Sequence, residues 1–241
     1  MESNVVTEVP IGSMIAQLAE SRTTLVRFML GYESAIDEVR TKLAILSREF
    51  EQAHQYNPIE HISSRLKTPQ SLIANARKRG CRPDVESIRA EILDIAGVRV
   101  VCTYVSDVYR LQELVCSQSD VRLLDLKDYI ANPKPSGYRS LHAIISIPVY
   151  LSTETMHVPV EIQFRTIAQE FWASLEHKIF YKYDKAVPDH LTTELRRAAG
   201  TAAELDATME RLAAEIDSQD PNGHHTVTPH DVQTFLDFLR G

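Results

Sequence analysis

Glu161, Gln163 and Arg165 alternate with Val160, Ile162 and Phe164, so a carboxylate, an amide and a guanidinium share one side of the chain while the other side is apolar. A period of two is that of a half-buried strand, predicted here over His157 to Arg165. Burying three such groups without partners is costly, so their side is expected to be a wet, working surface; the alternative is a solvent-facing strand with a cross-strand ion pair. Asp94 and Glu161 are acids set in otherwise apolar or basic stretches, a pairing suited to Mg²⁺, which takes one or two carboxylates together with substrate phosphates. Phosphate partners come from a basic island: His61 to Pro83 contains no Asp or Glu while carrying Arg65, Lys67, Arg77, Lys78, Arg79 and Arg82. In a chain of net charge -7 such an island predicts a local polyanion, for instance a nucleotide polyphosphate, unless it is only a solvated basic helix face. The overall acidity argues against non-specific nucleic-acid binding by the whole surface.

The elements that would carry these groups follow from periodicity. Leu25, Phe28, Met29, Tyr32, Ile36, Val39, Leu43 and Leu46 recur at helical steps within a predicted helix over residues 13 to 54, which Gly31 could kink or divide and Asn57-Pro58 stops. A short loop is expected to hold Arg65 and Lys67, and Thr68-Pro69 to start a helix ending near Gly80. Ser71 then lies in a first turn, where free N–H groups and the dipole favour phosphate. Pro83-Asp84 restarts a helix to about Leu93. Strands are predicted at Gly97 to Tyr104, with Arg99 opposite Val98, Val100 and Cys102, at Val121 to Tyr129, and at Ser140 to Val149, with His142 opposite Leu141, Ala143, Ile145 and Ile147. Between the first two, Ser106 is expected to cap a helix to about Gln118. A loop with Pro133, Pro135 and Gly137 presents Lys134, Tyr138 and Arg139, and Tyr138 is expected to offer an exposed ring to a base. Thr166 and Gln169 have capping-box spacing and open a helix to about Lys182, in which Trp172 reads as core and His177 as structural.

At 241 residues with 44% hydrophobic content the chain can build one globular body with helical extensions. Met1 to Pro10 lacks the features of a signal peptide and no apolar run reaches the roughly 18 residues of a membrane span, so no membrane contact and a cytoplasmic location are expected. Cys81, Cys102 and Cys116 form no C-x-x-C pair and indicate neither a disulfide framework nor zinc. His224, His225 and His230 read as a soluble turn rather than a metal site. The acidic tail from Pro188 to Arg240 is predicted helical, with a second helix started by Thr228-Pro229. Neither a Walker-type phosphate loop nor a dinucleotide-binding glycine fingerprint is present. The residues alone lead to a Mg²⁺-dependent enzyme acting on nucleotide phosphates.

R-L-K-T-P-Q-S at Arg65 to Ser71, D-I-A-G-V-R at Asp94 to Arg99, DYIANPKPSGYRSLH at Asp128 to His142, and VEIQFRT with FWASLEHKIFYKY resemble the synthetase domain of RelA/SpoT-type proteins. The resemblance covers roughly Asn57 to Tyr183, and the helical flanks look like those of the small alarmone synthetases. It implies an α/β (α+β) fold with a mixed sheet of about five strands flanked by helices, nucleotidyltransferase-like. The division it implies is a helical extension over 1-56, a synthetase domain over 57-185 and an oligomerising helical extension over 186-241. The implied activity is transfer of the β,γ-pyrophosphate of ATP to the 3′-hydroxyl of GDP or GTP. By the same resemblance Arg65 and Arg99 sandwich adenine, while Lys67 and Ser71, with Arg77 or Lys78, hold ATP phosphates. Asp94 and Glu161 hold Mg²⁺, with Glu161 also activating the 3′-hydroxyl. Tyr138 stacks on guanine, and Lys127, Lys134, His142 and Gln163 serve the acceptor's phosphates and sugar. Two positions depart from the pattern: Asn75 stands where relatives often have lysine, and Glu170, expected to face guanine, where they often have Asn or Asp. A homotetramer is implied, and (p)ppGpp or single-stranded RNA as regulators. Pyrophosphate transfer to the 3′ end of tRNA and a silent nucleotide- or RNA-binding module are the competing functions.

Overall fold

The computed structural model describes residues 11–54, 56–82, 84–183, 187–219, 233 and 237–240. A long helix α1, Ile11–Glu49, continues into a π-helical turn, Phe50–His54. Then follow β1 (Ile59–Leu66), α2 (Pro69–Arg79), α3 (Val85–Glu91), β2 (Ala96–Cys102) and α4 (Val105–Cys116). The second half comprises β3 (Arg122–Asp128), β4 (Leu141–Tyr150), β5 (Thr155–Thr166), α5 (Ile167–Lys182) and α6 (Asp189–Gln219). The strands form one sheet in the order β1-β2-β5-β4-β3, in which β2 and β5 are parallel and every other pair antiparallel.

Period-two alternation gives this sheet one apolar face. Val98 and Val100 pair with Ile162 and Phe164, which pair in turn with Ala143 and Leu141. Their side chains form one buried cluster with Tyr32, Val39 and Leu43 of α1 and Val108, Leu111 and Val115 of α4. Each fully buried aliphatic side chain contributes about 1.5–3 kcal/mol, so this layer is the main source of stability. Gly31 does not divide α1, which runs unbroken across it. A Cβ there would come 2.9 Å from the Met156 Cε, so the missing side chain makes room for β5 to pack against the helix.

Two other local expectations change. Residues 59–66 form the edge strand β1 rather than a loop, paired to β2 from Ile59↔Cys102 to Leu66↔Ala96. A register shift between Ile59 and His61 interrupts its alternation, and that hides the strand from a pattern search. Helix α4 starts at Val105: Asp107 accepts from the Tyr104 N–H at 3.2 Å, and Ser106 lies inside the first turn instead of capping it. Elsewhere the local chemistry holds. Thr68 caps α2 with Pro69 at its first position, and the Thr166/Gln169 capping box starts α5. The Trp172 Nε1–H donates to the Leu195 carbonyl at 2.8 Å.

Helix α6 ties these parts together. Asp206, buried, accepts from Thr166 Oγ1 at 2.9 Å and Gln169 Nε2 at 3.2 Å, while Glu210 accepts from the Val105 N–H at 3.0 Å. Burial pushes the Asp206 carboxyl above the usual aspartate value, against the pull of those two donors. Further along the chain, Thr228-Pro229, the three loop histidines, Val232, Phe235 and Leu236 lie outside the described residues.

Gly80 and Gly137 both have positive φ, 70° and 93°. Nothing lies near a Cβ at Gly80, whereas one at Gly137 would meet the Ala199 Cβ of α6 at 2.5 Å. Gly80→Ala is expected to cost about 1–2 kcal/mol of backbone strain. Gly137→Ala should cost about 1–3 kcal/mol more through overpacking against α6, as read from urea unfolding of the two variants.

Candidate active site

The face of the sheet opposite the core is crossed by two rows of polar residues. Register places Arg65 beside Gly97, Gly97 beside Glu161, Glu161 beside Ile144 and Ile144 beside Asp125. One pleat further along, Ser63, Arg99, Gln163, His142 and Lys127 follow in the same order of strands. Gly97 has a steric reason: a Cβ there would stand 3.2 Å from Cγ and Nε of Arg65, whose side chain lies across it. Arg65, Arg99, Gly97, Ser63 and Gln163 line a cleft of about 160 Å³ at this end of the sheet.

Glu161 is the best-held acid in the rows. Its Oε1 lies 3.1 Å from His142 Nδ1, its Oε2 accepts from Gln163 Nε2 at 2.8 Å, and Arg65 stands 3.7 Å away. Burial pushes its pKa up, but the His142 and Gln163 hydrogen bonds and the Arg65 charge outweigh it and bring the carboxyl down to about 2. The partners continue into a closed ring. Arg165 Nη2 donates to Gln163 Oε1 at 2.8 Å and to the Tyr138 hydroxyl at 2.5 Å, and that hydroxyl lies 2.7 Å from His142 Nε2. Arg165 is 4% exposed. Its Nη1 also donates to Glu170 at 2.8 Å, and Arg99 reaches the other oxygen of Glu170 at 2.7 Å. Arg165 was not among the expected ligands, although its place on the polar side of the alternating strand was the signal for it.

Several expected ligands are engaged with the protein itself. Lys67 pairs with the Asp94 side chain and donates to its carbonyl at 2.8 Å. Both oxygens of Glu170 are taken by arginines, so a guanine edge meeting them would have to share or displace those bonds. Tyr138 is not an exposed ring as expected from the sequence. It is 9% exposed and packs with Trp172, Leu195 and Ala199, because α6 lies over the Gly137 loop; Lys134 Nζ sits 4.6 Å from its centroid. Lys127 pairs with Asp125 at 3.0 Å. Ser71, Arg77 and Lys78 are exposed on α2, and the Ser71 N–H donates to Thr68 at 3.2 Å, so the helix cap already uses that donor.

The donor set suits a divalent cation. Asp94 Oδ1 is buried and makes no hydrogen bond, an acceptor left over once Lys67 has taken the other oxygen. A buried carboxylate oxygen without a donor is expensive unless a cation meets it, and the ionised Glu161 offers further hard oxygen donors on the open face of the sheet.

A family model described as a region found in RelA / SpoT proteins matches residues 64–186. The GTP pyrophosphokinase YwaC of Bacillus subtilis is 45% identical over 189 residues, 78% of this chain and 90% of that protein. Among solved structures, small alarmone synthetase 2 from Bacillus subtilis matches with a TM-score of 0.71 at 44% identity, covering 78% of this chain and 96% of that one. Small alarmone synthetase 1 from the same organism, bound to its product pppGpp, matches with a TM-score of 0.74 at 34% identity over 80% and 98%. The chain belongs to the RelA/SpoT family.

Because Glu161 is held at about 2, below the glutamate value of 4.5, its interactions add stability above that value and lose it as pH falls through the interval. Glu161→Gln is expected to flatten the stability curve between those limits, compared with wild type by urea unfolding at pH 3 and pH 7. Equally steep curves would count against the ionised, hydrogen-bonded state.

Proposed function

We propose that the chain is a (p)ppGpp synthetase, a GTP pyrophosphokinase that moves the β,γ-pyrophosphate of ATP onto the 3′-hydroxyl of GDP or GTP and releases AMP. The observation that carries this reading is the pair of rows on one open face: two arginines at one end, the ionised Glu161 and Gln163 on the middle strand, and His142 and Lys127 beyond them. Its relatives' names and the pppGpp bound to one of them support the same reaction. We assign the catalytic unit to residues 57-185, between the helical extensions, and place the protein in the cytoplasm.

In the reaction the 3′-oxygen forms a bond to the β-phosphorus, the bond from that phosphorus to the bridging oxygen of AMP breaks, and the hydroxyl proton passes to solvent. Arg65 and Arg99 offer guanidinium planes for adenine on either side of the cleft. Lys67, Ser71, Arg77 and Lys78 face the triphosphate. Asp94 and Glu161 would hold Mg²⁺, which when bound neutralises phosphate charge and makes the hydroxyl more acidic. Glu161 accepts the hydrogen bond of the 3′-hydroxyl and orients it. A carboxylate this acidic is a weak proton store, so its part is alignment and charge more than basicity. On the acceptor side Lys134 now covers the Tyr138 ring. Guanine can take that place as Lys134 turns to the acceptor's phosphates, one cation–π contact exchanged for base stacking.

We further propose that the chain assembles as a homotetramer through α5 and α6. Phe171 is 73% and Ile216 68% exposed, and Ile167, Leu175, Leu205 and Met209 join Phe171 in lining a groove of about 960 Å³. A second copy is the occupant we assign to this apolar stripe.

Incubating the protein with labelled ATP, Mg²⁺ and GDP, GTP or tRNA tests the activity. Label is expected on the guanine nucleotides; label on tRNA alone, or on none, would overturn it. Glu161→Gln should lower turnover about 10²–10³-fold, the loss of one preorganised charge at the reacting centre, with nucleotide binding retained. Light scattering should find a tetramer for the wild type and smaller species for Phe171→Glu, and a wild-type monomer at micromolar concentration would exclude the assembly.

A further inference from the structure

We infer that Arg165 is a positioning residue of the acceptor site, whose guanidinium holds Tyr138, Gln163 and Glu170 in register. This rests on the synthetase reading for its kinetic part alone. A buried arginine survives only when its donors are matched, and here four bonds match them. Nε donates to Ser140 Oγ at 3.3 Å, Nη1 to Glu170 at 2.8 Å, and Nη2 to Tyr138 at 2.5 Å and Gln163 at 2.8 Å. The acceptors come from three separate elements: the loop entering β4, strand β5 and helix α5. One planar group thus aligns the ring expected to stack on guanine, the amide beside the acceptor sugar and the carboxylate facing the base.

The arginine also closes a hydrogen-bond circuit around Glu161. A guanidinium can only donate, so the Tyr138 oxygen accepts from Arg165, and the same oxygen lies 2.7 Å from His142 Nε2. The other ring nitrogen, Nδ1, donates to Glu161 Oε1 3.1 Å away, since an ionised carboxylate can only accept. Gln163 closes the circuit with its oxygen toward Arg165 and its amide toward the other oxygen of Glu161. Without Arg165 the Tyr138 hydroxyl and the Gln163 oxygen lose their shared donor, and nothing then ties the ring to the amide. A lysine keeps the charge but cannot span Glu170, Gln163 and Tyr138 from one plane.

The test uses the full chain as wild type, Arg165→Lys and Tyr138→Phe. Three quantities are read: KM for GDP with kcat, ATP binding by calorimetry, and GDP binding by calorimetry. Arg165→Lys is expected to raise the acceptor KM about 10-fold or more, since hydrogen bonds to charged partners are lost, with ATP binding little changed. Tyr138→Phe, which keeps the ring but removes the oxygen that Arg165 holds, should raise the acceptor KM in the same direction with ATP binding again spared. Equal losses for ATP and GDP, or a wild-type acceptor KM in a folded Arg165→Lys protein, would make Arg165 merely structural. Should Arg165→Lys fail to fold, Tyr138→Phe decides, and a wild-type acceptor KM there overturns the positioning role. A wild-type protein that transfers nothing to guanine nucleotides would refute the synthetase reading, while calorimetric GDP binding to wild type and variants, which needs no turnover, still judges the positioning.

Discussion

The parallel pairing of β2 with β5 is the contact on which the working face depends. It joins segments far apart in the chain, and it alone sets Gly97 beside Glu161 and Arg99 beside Gln163. A parallel pair cannot be closed by a tight turn, so the intervening chain must cross over, and here it does so through α4, β3 and β4. The crossover itself supplies the next polar group, because β4 returns antiparallel to β5 with His142 beside Gln163. Apolar residues on the reverse of the same strands meet α1 and α4. A slip of one residue would bury Glu161 and expose Phe164, so core packing and site geometry are specified by one register.

The face built this way is rigid where it is buried. Glu161, His142, Gln163, Tyr138 and Arg165 each hold two others of the ring, and α6 closes over the Gly137 loop from outside. The tail helix therefore bears on the acceptor side of the site as well as on the starts of α4 and α5, to which Glu210 and Asp206 are tied.

Much of this was legible because it is local. The alternation around Glu161 needs only neighbouring residues, as do the Thr68-Pro69 start of α2 and the Thr166/Gln169 box. β1 was missed because an edge strand with a register shift and polar Ser63 and Ser64 carries little alternation, its identity coming from its pairing with β2. Gly31 looked like a break because helix propensity ignores what packs against it, here Met156. The burial of Tyr138 could not be read from the loop, since the residues that cover it, Trp172, Leu195 and Ala199, come from α5 and α6. The double engagement of Glu170 depends on Arg99, which the sheet brings across from another strand.

The working face is, in effect, loaded with its own counterions. Lys67 sits on Asp94, Arg65 on Glu161, Arg99 on Glu170 and Lys127 on Asp125. Apart from the exposed Arg77 and Lys78, the cations that an incoming polyphosphate meets are already paired, and it trades places with the carboxylates seated there. Such an exchange releases few mobile ions from solution, so nucleotide affinity should fall off with added salt less steeply than the number of basic residues on this face suggests.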